Sequence, residues 1–248
     1  MDDTNNKGNL PDSSMSLSDH LEELRWRLMY ALIGLVICTV ACLFFGTKII
    51  AMVQIPYNRL MPDHPLVVLA PIDAFVGYMK VSLIAGLVLS SPWVFYQLWM
   101  FVATGMYTRE KKYIHLAVPF SAVLFVAGTL FFLFVVAQIS LGFFLKFGDL
   151  IGVTPAWTFP KYMSFMTMLM LVFGVGFQTP IAIFFLNRTG LISLATLQKS
   201  RRYIFLAAFL IAAIATPPDV ISQITLAVPL YLLFELGILL CRFARRKK

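Results

Sequence analysis

Long apolar runs without charged residues dominate this chain and limit the folds that it can adopt. A helix needs about 20 apolar residues to cross the ~30 Å hydrocarbon layer of a bilayer, where only helices and closed barrels satisfy every backbone amide. The sequence has no alternating apolar and polar strands, which excludes a barrel. The apolar runs predict six membrane-spanning helices, over residues 28–45, 81–106, 116–145, 162–187, 203–216 and 220 to about 240.

Composition supports one membrane domain. Of the 248 residues, 60% are hydrophobic and 13% are charged, whereas a soluble domain carries about 25% charged residues to cover its surface. Residues 1–16 are polar and predict a disordered cytoplasmic tail. They do not resemble a signal peptide, because they lack its basic start and short apolar stretch. Residues 17–243 form the predicted membrane domain, and residues 244–248 form a basic tail.

The distribution of Lys and Arg predicts the orientation of these spans. If the N-terminus is cytoplasmic, 15 of the 20 Lys and Arg residues fall on the cytoplasmic side. Cytoplasmic loops of membrane proteins carry this excess. Both termini are therefore predicted to be cytoplasmic, and the net charge of +8 reflects topology rather than nucleic-acid binding.

Span length and proline positions predict a cupped shape. The fifth span has roughly 14 residues and rises only ~21 Å, so the bilayer beside it must thin or the hairpin must stop short of full crossing. Pro92 interrupts the second span and Pro180 lies near the end of the fourth, where kinks would bend the helices. The predicted fold is an all-α polytopic membrane protein, a curved concave bundle of six helices with short fifth and sixth helices.

Two acidic residues near the cytoplasmic surface, Glu23 and Glu110, are candidates for binding a cation. Both lie among arginines and lysines. One interpretation is that they form solvated surface ion pairs, which contribute about 0–1 kcal/mol. The other is that they capture a cationic partner, most naturally a guanidinium group, which a carboxylate binds bidentately.

Three further polar residues lie in or beside apolar runs. Gln178 is inside the fourth span and either packs against a neighbouring helix or marks an interaction groove. Asp219 follows two prolines and is a candidate N-cap of the sixth helix. Glu235 either snorkels to the membrane interface or pairs with a basic neighbour.

No motif in the sequence predicts catalysis or a metal site. The three cysteines have no metal-ligand spacing and are interpreted as small apolar packing residues, and the three histidines are scattered. The sequence contains no phosphate-binding loop and no catalytic triad candidates. No enzyme activity and no cofactor are predicted.

The order of several motifs resembles the TatC family, the receptor subunit of the twin-arginine protein translocase. The resemblance begins with His-Leu-Glu-Glu-Leu-Arg-Trp-Arg-Leu at 20–28 and covers the chain to Phe243. It continues through Ser-Pro at 91–92, Tyr-Gln-Leu-Trp-Met-Phe at 96–101, Tyr107 to Glu110, Phe-Gly-Val-Gly-Phe at 173–177, Thr-Pro-Pro-Asp at 216–219, Ser-Gln at 222–223 and Phe-Glu at 234–235.

The resemblance implies a receptor that recognises paired arginines in the signal peptides of folded exported proteins. It assigns the binding site to Glu23, Arg25, Phe101 and Glu110. It also implies single-span TatA-like and TatB-like partners at the fifth and sixth helices, several copies in one complex, a bacterial cytoplasmic membrane and the protonmotive force as energy source. Structural or partner-related positions are Pro56, Pro92, Pro217, Pro218, Asp219, Gln223 and Glu235.

Two positions depart from the family pattern. Gln178 stands where many members carry Glu, which removes a charge and any proton-linked role there. Thr104 stands where a proline is usual, which changes the chain leading to Glu110. The alternative function is a small-solute secondary transporter, which needs a polar site at the membrane midplane, and Gln178 is the candidate nearest to that requirement.

Overall fold

The computed structural model describes residues 17–105, 114–153, 156–215 and 220–246. Within these ranges the regular structure is helical, apart from one isolated bridge between Val67 and Thr158. The helices are α1 (Leu17–Phe44), α2 (Gly46–Val53), α3 (Ile55–Leu60), α4 (Pro71–Thr104), α5 (Ile114–Phe131), a π-helical turn (Phe132–Val136), α6 (Ala137–Leu150), α7 (Phe159–Gly176), α8 (Thr179–Arg188), α9 (Leu194–Lys199), α10 (Arg201–Ala215) and α11 (Val220–Arg246).

Five helical segments of the described residues are long and apolar enough to cross a membrane. They are His20–Phe44, Pro71–Thr104, Leu116–Leu150, Phe159–Arg188 and Gln223–Phe243. Between the last two lies α10, whose 15 residues rise only about 22 Å. The prediction of a short fifth apolar helix is therefore confirmed, whereas a count of six spans stays a prediction.

The prediction of a short sixth helix is wrong. Helix α11 has 27 residues and continues through Pro229 to Arg246. Hydropathy marks where a chain leaves the apolar layer, but a helix continues beyond that point while its backbone hydrogen bonds remain intact. The three residues just before α11, Pro217, Pro218 and Asp219, lie outside the described residues. The role of Asp219 as N-cap of this helix therefore stays a prediction.

Helix α4 begins ten residues before the predicted second span. Asp73 and Lys80, which precede the predicted span, therefore lie on this helix. Pro71 is at its first position, where a missing N–H costs nothing, and a carboxylate oxygen of Asp73 accepts a hydrogen bond from the backbone N–H of Ala70 (3.0 Å). These start signals place the helix boundary well before the apolar run.

Pro92 does not interrupt α4, contrary to the prediction. A proline within a helix leaves the carbonyl four residues earlier without its usual donor. Here the hydroxyl of Ser91 donates to that carbonyl, of Val88, at 2.7 Å. The break predicted near Pro180 is present, because α7 ends at Gly176 and α8 begins at Thr179.

The main core packs α7 against the π-helical turn, α4, α10 and α11. Phe132, Met163 and Phe173 are fully buried there. Apolar residues also cover the outside of the bundle, as at Ile37 (63% exposed) and Phe44 (82% exposed). A protein with such an outer surface is covered by lipid rather than by water.

Helices α1 and α4 approach each other closely through small residues. A Cβ atom at Gly86 would lie 2.6 Å from Cα of Thr39, and one at Gly34 would lie 2.3 Å from the indole of Trp93. Glycine at such positions lets two helix backbones meet in a membrane. The indole N–H of Trp93 also donates to the carbonyl of Tyr30 (2.9 Å), so the α1–α4 pair has a fixed spacing.

At the opposite end from the α1 N-terminus, α3 packs into an aromatic cluster. Pro56, an expected structural residue, is buried at the start of α3, and the ring of the adjacent Tyr57 lies tilted against Trp157 and edge-on to Tyr162. The phenol of Tyr57 donates to the carbonyl of His64 (2.7 Å). Burial raises the pKa of Tyr57 above its usual value.

Candidate functional site

The first turns of α1 contact the last turn of α4. This contact brings together two parts of the sequence that are about 80 residues apart. The imidazole of His20 stacks on the ring of Phe101, with centroids 4.6 Å apart. The hydroxyl of Thr104 donates to the carbonyl of Phe101 (2.7 Å) and lies 3.2 Å from Nδ1 of His20. Because a hydroxyl has one proton, Nδ1 of His20 is then the donor in the second contact.

Glu23 lies one turn further along α1 and holds a guanidinium group. Nε of Arg27 donates to Oε1 of Glu23 at 2.7 Å, and Nη1 of Arg27 donates to Oε1 of Gln97 at 3.2 Å. Gln97 is buried in α4, while the side chains of Arg27 and Glu23 are 22% and 31% exposed. Arg27 thus joins a carboxylate on α1 to an amide on α4.

Of the four predicted binding residues, the structure brings Glu23 and Phe101 to the same end of the α1–α4 pair. Arg25 is exposed on the same end of α1. Glu110 lies outside the described residues, so its distance from Glu23 stays a prediction. The ion pair predicted as the alternative role of Glu23 is present, with Arg27 as its partner.

Gln178 hydrogen-bonds to a neighbouring helix. Its side-chain N–H group donates to the carbonyl of Ser121 on α5 (3.0 Å), and the hydroxyl of Ser121 accepts from the indole N–H of Trp99 on α4 (2.8 Å). This contact agrees with the helix-packing interpretation of Gln178. A role in a partner groove remains a prediction, since Gln178 is only partly buried.

Glu235 pairs with a basic residue of the preceding helix. Nη2 of Arg201 lies 2.7 Å from Oε2 of Glu235, and the phenol of Tyr231 donates to Oε1 (3.0 Å). The basic-neighbour interpretation of Glu235 is confirmed, although the partner is on α10 rather than on α11 itself. Nearer the other end of the same helix pair, Gln223 donates to the carbonyl of Phe209 (3.1 Å).

We expect the Arg201–Glu235 pair to stabilise the α10–α11 contact modestly. Its side chains are 43% and 29% exposed, so solvent screens it and the coupling free energy should be about 0.5–1 kcal/mol. A double-mutant cycle of Glu235→Gln and Arg201→Gln, measured by unfolding in detergent, tests this value. Arg202→Gln is the matched control, because Tyr203 is the side chain that Arg202 contacts among the described residues, and its coupling to Glu235 should be close to zero.

Two residues of the site, His20 and Gln97, were not predicted from the sequence. His20 was interpreted as one of three scattered histidines, whereas Arg27 was among the arginines with which Glu23 was expected to pair in the ion-pair interpretation. Gln97 carried a usable signal, since it is an uncharged polar residue inside an apolar span, as is Gln178. Such residues usually face protein rather than lipid.

This chain is similar to known proteins over most of its length. The family model described as Sec-independent protein translocase protein (TatC) matches residues 19–229. The Sec-independent protein translocase protein TatC of Haemophilus influenzae is 38% identical over 95% of this chain and 92% of its own length. The protein of that name from Escherichia coli K12 is 33% identical over 94% of this chain and 90% of its own length.

The fold is also similar to a solved structure. A crystal structure described as the twin arginine translocase receptor TatC aligns with a TM-score of 0.83 and 33% identity. The alignment covers 91% of this chain and 99% of that one. The similarity in sequence and the similarity in fold therefore both extend over almost the whole chain.

Proposed function

This chain belongs to the TatC family of Sec-independent protein translocase proteins, and we propose that it is the subunit that binds the paired arginines of signal peptides. Family membership makes it a multi-pass membrane component of the twin-arginine translocase. The proposed part is the receptor role, with Glu23, Arg25, Phe101 and Glu110 as its binding residues.

One observation carries this proposal: the carboxylate of Glu23 already binds a guanidinium group. Arg27 reaches it with a charge-assisted hydrogen bond of 2.7 Å. The signal peptide would supply the same chemical group, and a carboxylate accepts two parallel N–H bonds from a correctly placed arginine. The related protein whose structure is described as a twin arginine translocase receptor supports the same assignment.

Phe101 and Arg25 suit the rest of such a site. The ring of Phe101 on α4 stacks on His20 of α1, the helix that also carries Glu23. The apolar ring would contact the peptide next to the paired arginines. Arg25 is exposed and available to peptide carbonyls or acidic groups. Glu110 is the proposed second acid, so that each arginine of the pair would have its own carboxylate.

The wider function follows from the family in the same way. We propose that the protein lies in the bacterial cytoplasmic membrane with both termini inside and with six spans, including α10. It would nucleate a complex with TatA-like and TatB-like subunits at α10 and α11, and the protonmotive force would drive transport. No catalytic step is assigned to it, and a folded protein rather than a small solute would be its cargo.

The small-solute transporter alternative has lost its main support. It required a polar site in the middle of the membrane, for which Gln178 was the candidate. The side-chain N–H group of Gln178 is already bonded to the carbonyl of Ser121. We therefore favour the receptor function alone.

Site-specific crosslinking tests the proposal. Photoreactive probes beside Glu23 and beside Glu110, in protein inserted in membranes, should crosslink a signal peptide that carries Arg-Arg. The same peptide with Lys-Lys is the control and should give no crosslink, because lysine cannot form the bidentate contact. Equal crosslinking of both peptides, or none to well-inserted protein, would contradict the receptor function.

Charge reversal at the second proposed acid is a further prediction. Replacing Glu110 with Lys should abolish binding of the Arg-Arg peptide, because a cation would then face a cation. The variant should still insert, which protease accessibility and detergent-solubilised yield can check. Correct insertion with unchanged binding would remove Glu110 from the site.

A further inference from the structure

We propose that Arg27 is an internal stand-in for a signal-peptide arginine, occupying the carboxylate of Glu23 in the free receptor and leaving it when the peptide binds. This inference rests on the proposed receptor function. It adds a residue that controls the affinity of the site but is not among the binding residues named above. Arg27 acts on peptide binding through Glu23 and Gln97 and not through a contact with the peptide.

The first argument is chemical identity. Arg27 presents to Glu23 the same guanidinium group that the peptide would bring. A bidentate arginine bonds to both carboxylate oxygens, and a second guanidinium group at the same carboxylate would place two like charges next to each other. Any peptide arginine that binds Glu23 bidentately must therefore compete with Arg27.

The second argument is the form of the Arg27 contact. The guanidinium group reaches Glu23 through Nε, at 2.7 Å, and directs Nη1 towards Gln97. This is one hydrogen bond to the carboxylate rather than the two that a fork-like arrangement makes. Both side chains are also partly open to solvent, at 22% and 31% exposure, so the pair is accessible and weak enough to exchange.

The third argument is the second partner. Gln97 is only 4% exposed, yet its side-chain oxygen accepts from Arg27 at 3.2 Å. A buried acceptor on α4 gives the guanidinium group a place to remain after it releases Glu23, so that exchange leaves no buried polar group without a partner. The guanidinium group of Arg27 thus contacts both Glu23 and Gln97 in the free receptor and would keep only the contact with Gln97 when the peptide binds.

Replacing Arg27 and replacing its partner Gln97 should change the peptide affinity in opposite directions. Arg27→Gln removes the ion pair but keeps an amide that can bond to Gln97, so Glu23 is freed and the affinity for an Arg-Arg peptide should rise about two- to fivefold. Gln97→Met keeps the side-chain volume but removes the alternative acceptor. Arg27 then depends on Glu23 alone, and the affinity should fall by about the same factor.

The experiment measures binding of a fluorescent Arg-Arg signal peptide to the full chain in nanodiscs. Arg202→Gln is the matched control for net charge, because Arg202 contacts Tyr203 instead, and it should leave the affinity unchanged. A Glu23→Gln background separates the stand-in role from general electrostatics. In that background Arg27→Gln should have no further effect, since Arg27 no longer has the carboxylate to occupy.

The outcomes separate this inference from the function on which it rests. If wild-type protein binds the Arg-Arg peptide in a Glu23-dependent manner but Arg27→Gln weakens binding or leaves it unchanged, Arg27 orients Glu23 rather than occupying it, and the inference is wrong. An equal rise in affinity for Arg27→Gln and Arg202→Gln would mean that only the loss of positive charge matters, and this result would also overturn the inference. Binding that does not depend on Glu23 would overturn the receptor function itself.

Discussion

Replacing Glu23 with Gln should weaken binding of an Arg-Arg signal peptide about 10- to 100-fold. Gln has nearly the same shape as Glu but has no charge and only one acceptor oxygen. A hydrogen bond to a charged group contributes about 1.5–3 kcal/mol, and each 1.4 kcal/mol is a tenfold change in affinity. The loss should appear as a higher dissociation constant for the peptide, with unchanged insertion of the protein.

Glu22 provides a matched control on the same turn of α1. Its side chain is exposed, and Glu22→Gln changes net charge by the same amount as Glu23→Gln. Because recognition of one arginine is assigned to the carboxylate of Glu23 rather than to the local field, Glu22→Gln should change the affinity less than about twofold. Equal losses for the two variants would mean that the acids act only through general electrostatic attraction.

The acids could be singled out from sequence because charge is rare in this chain. With 13% charged residues, each acid beside an apolar run is conspicuous, and Glu23 and Glu235 are both found in contact with arginines. The short α10 was predictable for the same reason, because Arg201 and Arg202 on one side and Asp219 on the other bound its apolar run. Charges mark the ends of an apolar run with little ambiguity.

Partners across helices could not be predicted in this way. Arg27 and Gln97 are 70 positions apart in sequence, and their contact depends on how far α1 is rotated about its axis relative to α4. The hydropathy pattern of a single helix does not determine this rotation. The same limit applies to Gln178, whose bond to Ser121 required the relative placement of two spans.

Helix ends were the other failure, and their cause is different. The apolar run predicts where a span enters and leaves the bilayer, but α4 starts at Pro71 because of local start signals. Helix α4 continues through Pro92 because the hydroxyl of Ser91 donates a hydrogen bond to the carbonyl of Val88, which receives none from the proline. Side-chain to backbone bonds of this kind decide boundaries that hydropathy cannot resolve.

The close approach of α1 and α4 leads to the second large effect, which we expect for Gly86→Ala. The added Cβ atom would lie 2.6 Å from Cα and 2.8 Å from the backbone N of Thr39. Backbone atoms of a neighbouring helix cannot rotate away as a side chain can, so α1 must move outwards. Overpacking of this kind costs about 1–3 kcal/mol, and we expect the free energy of unfolding in detergent to fall by that amount.

Gly142→Ala is the matched control, because a Cβ atom at Gly142 on α6 meets no other atom within 4 Å. Alanine there should leave stability unchanged or raise it by up to about 1 kcal/mol, since glycine is the poorer helix former. Gly86→Ala should also weaken peptide binding, because displacing α1 separates Arg27 from Gln97 and moves Glu23 relative to Phe101. If Gly86→Ala were as stable as Gly142→Ala and bound peptide normally, the spacing of α1 and α4 would not determine the geometry of the site.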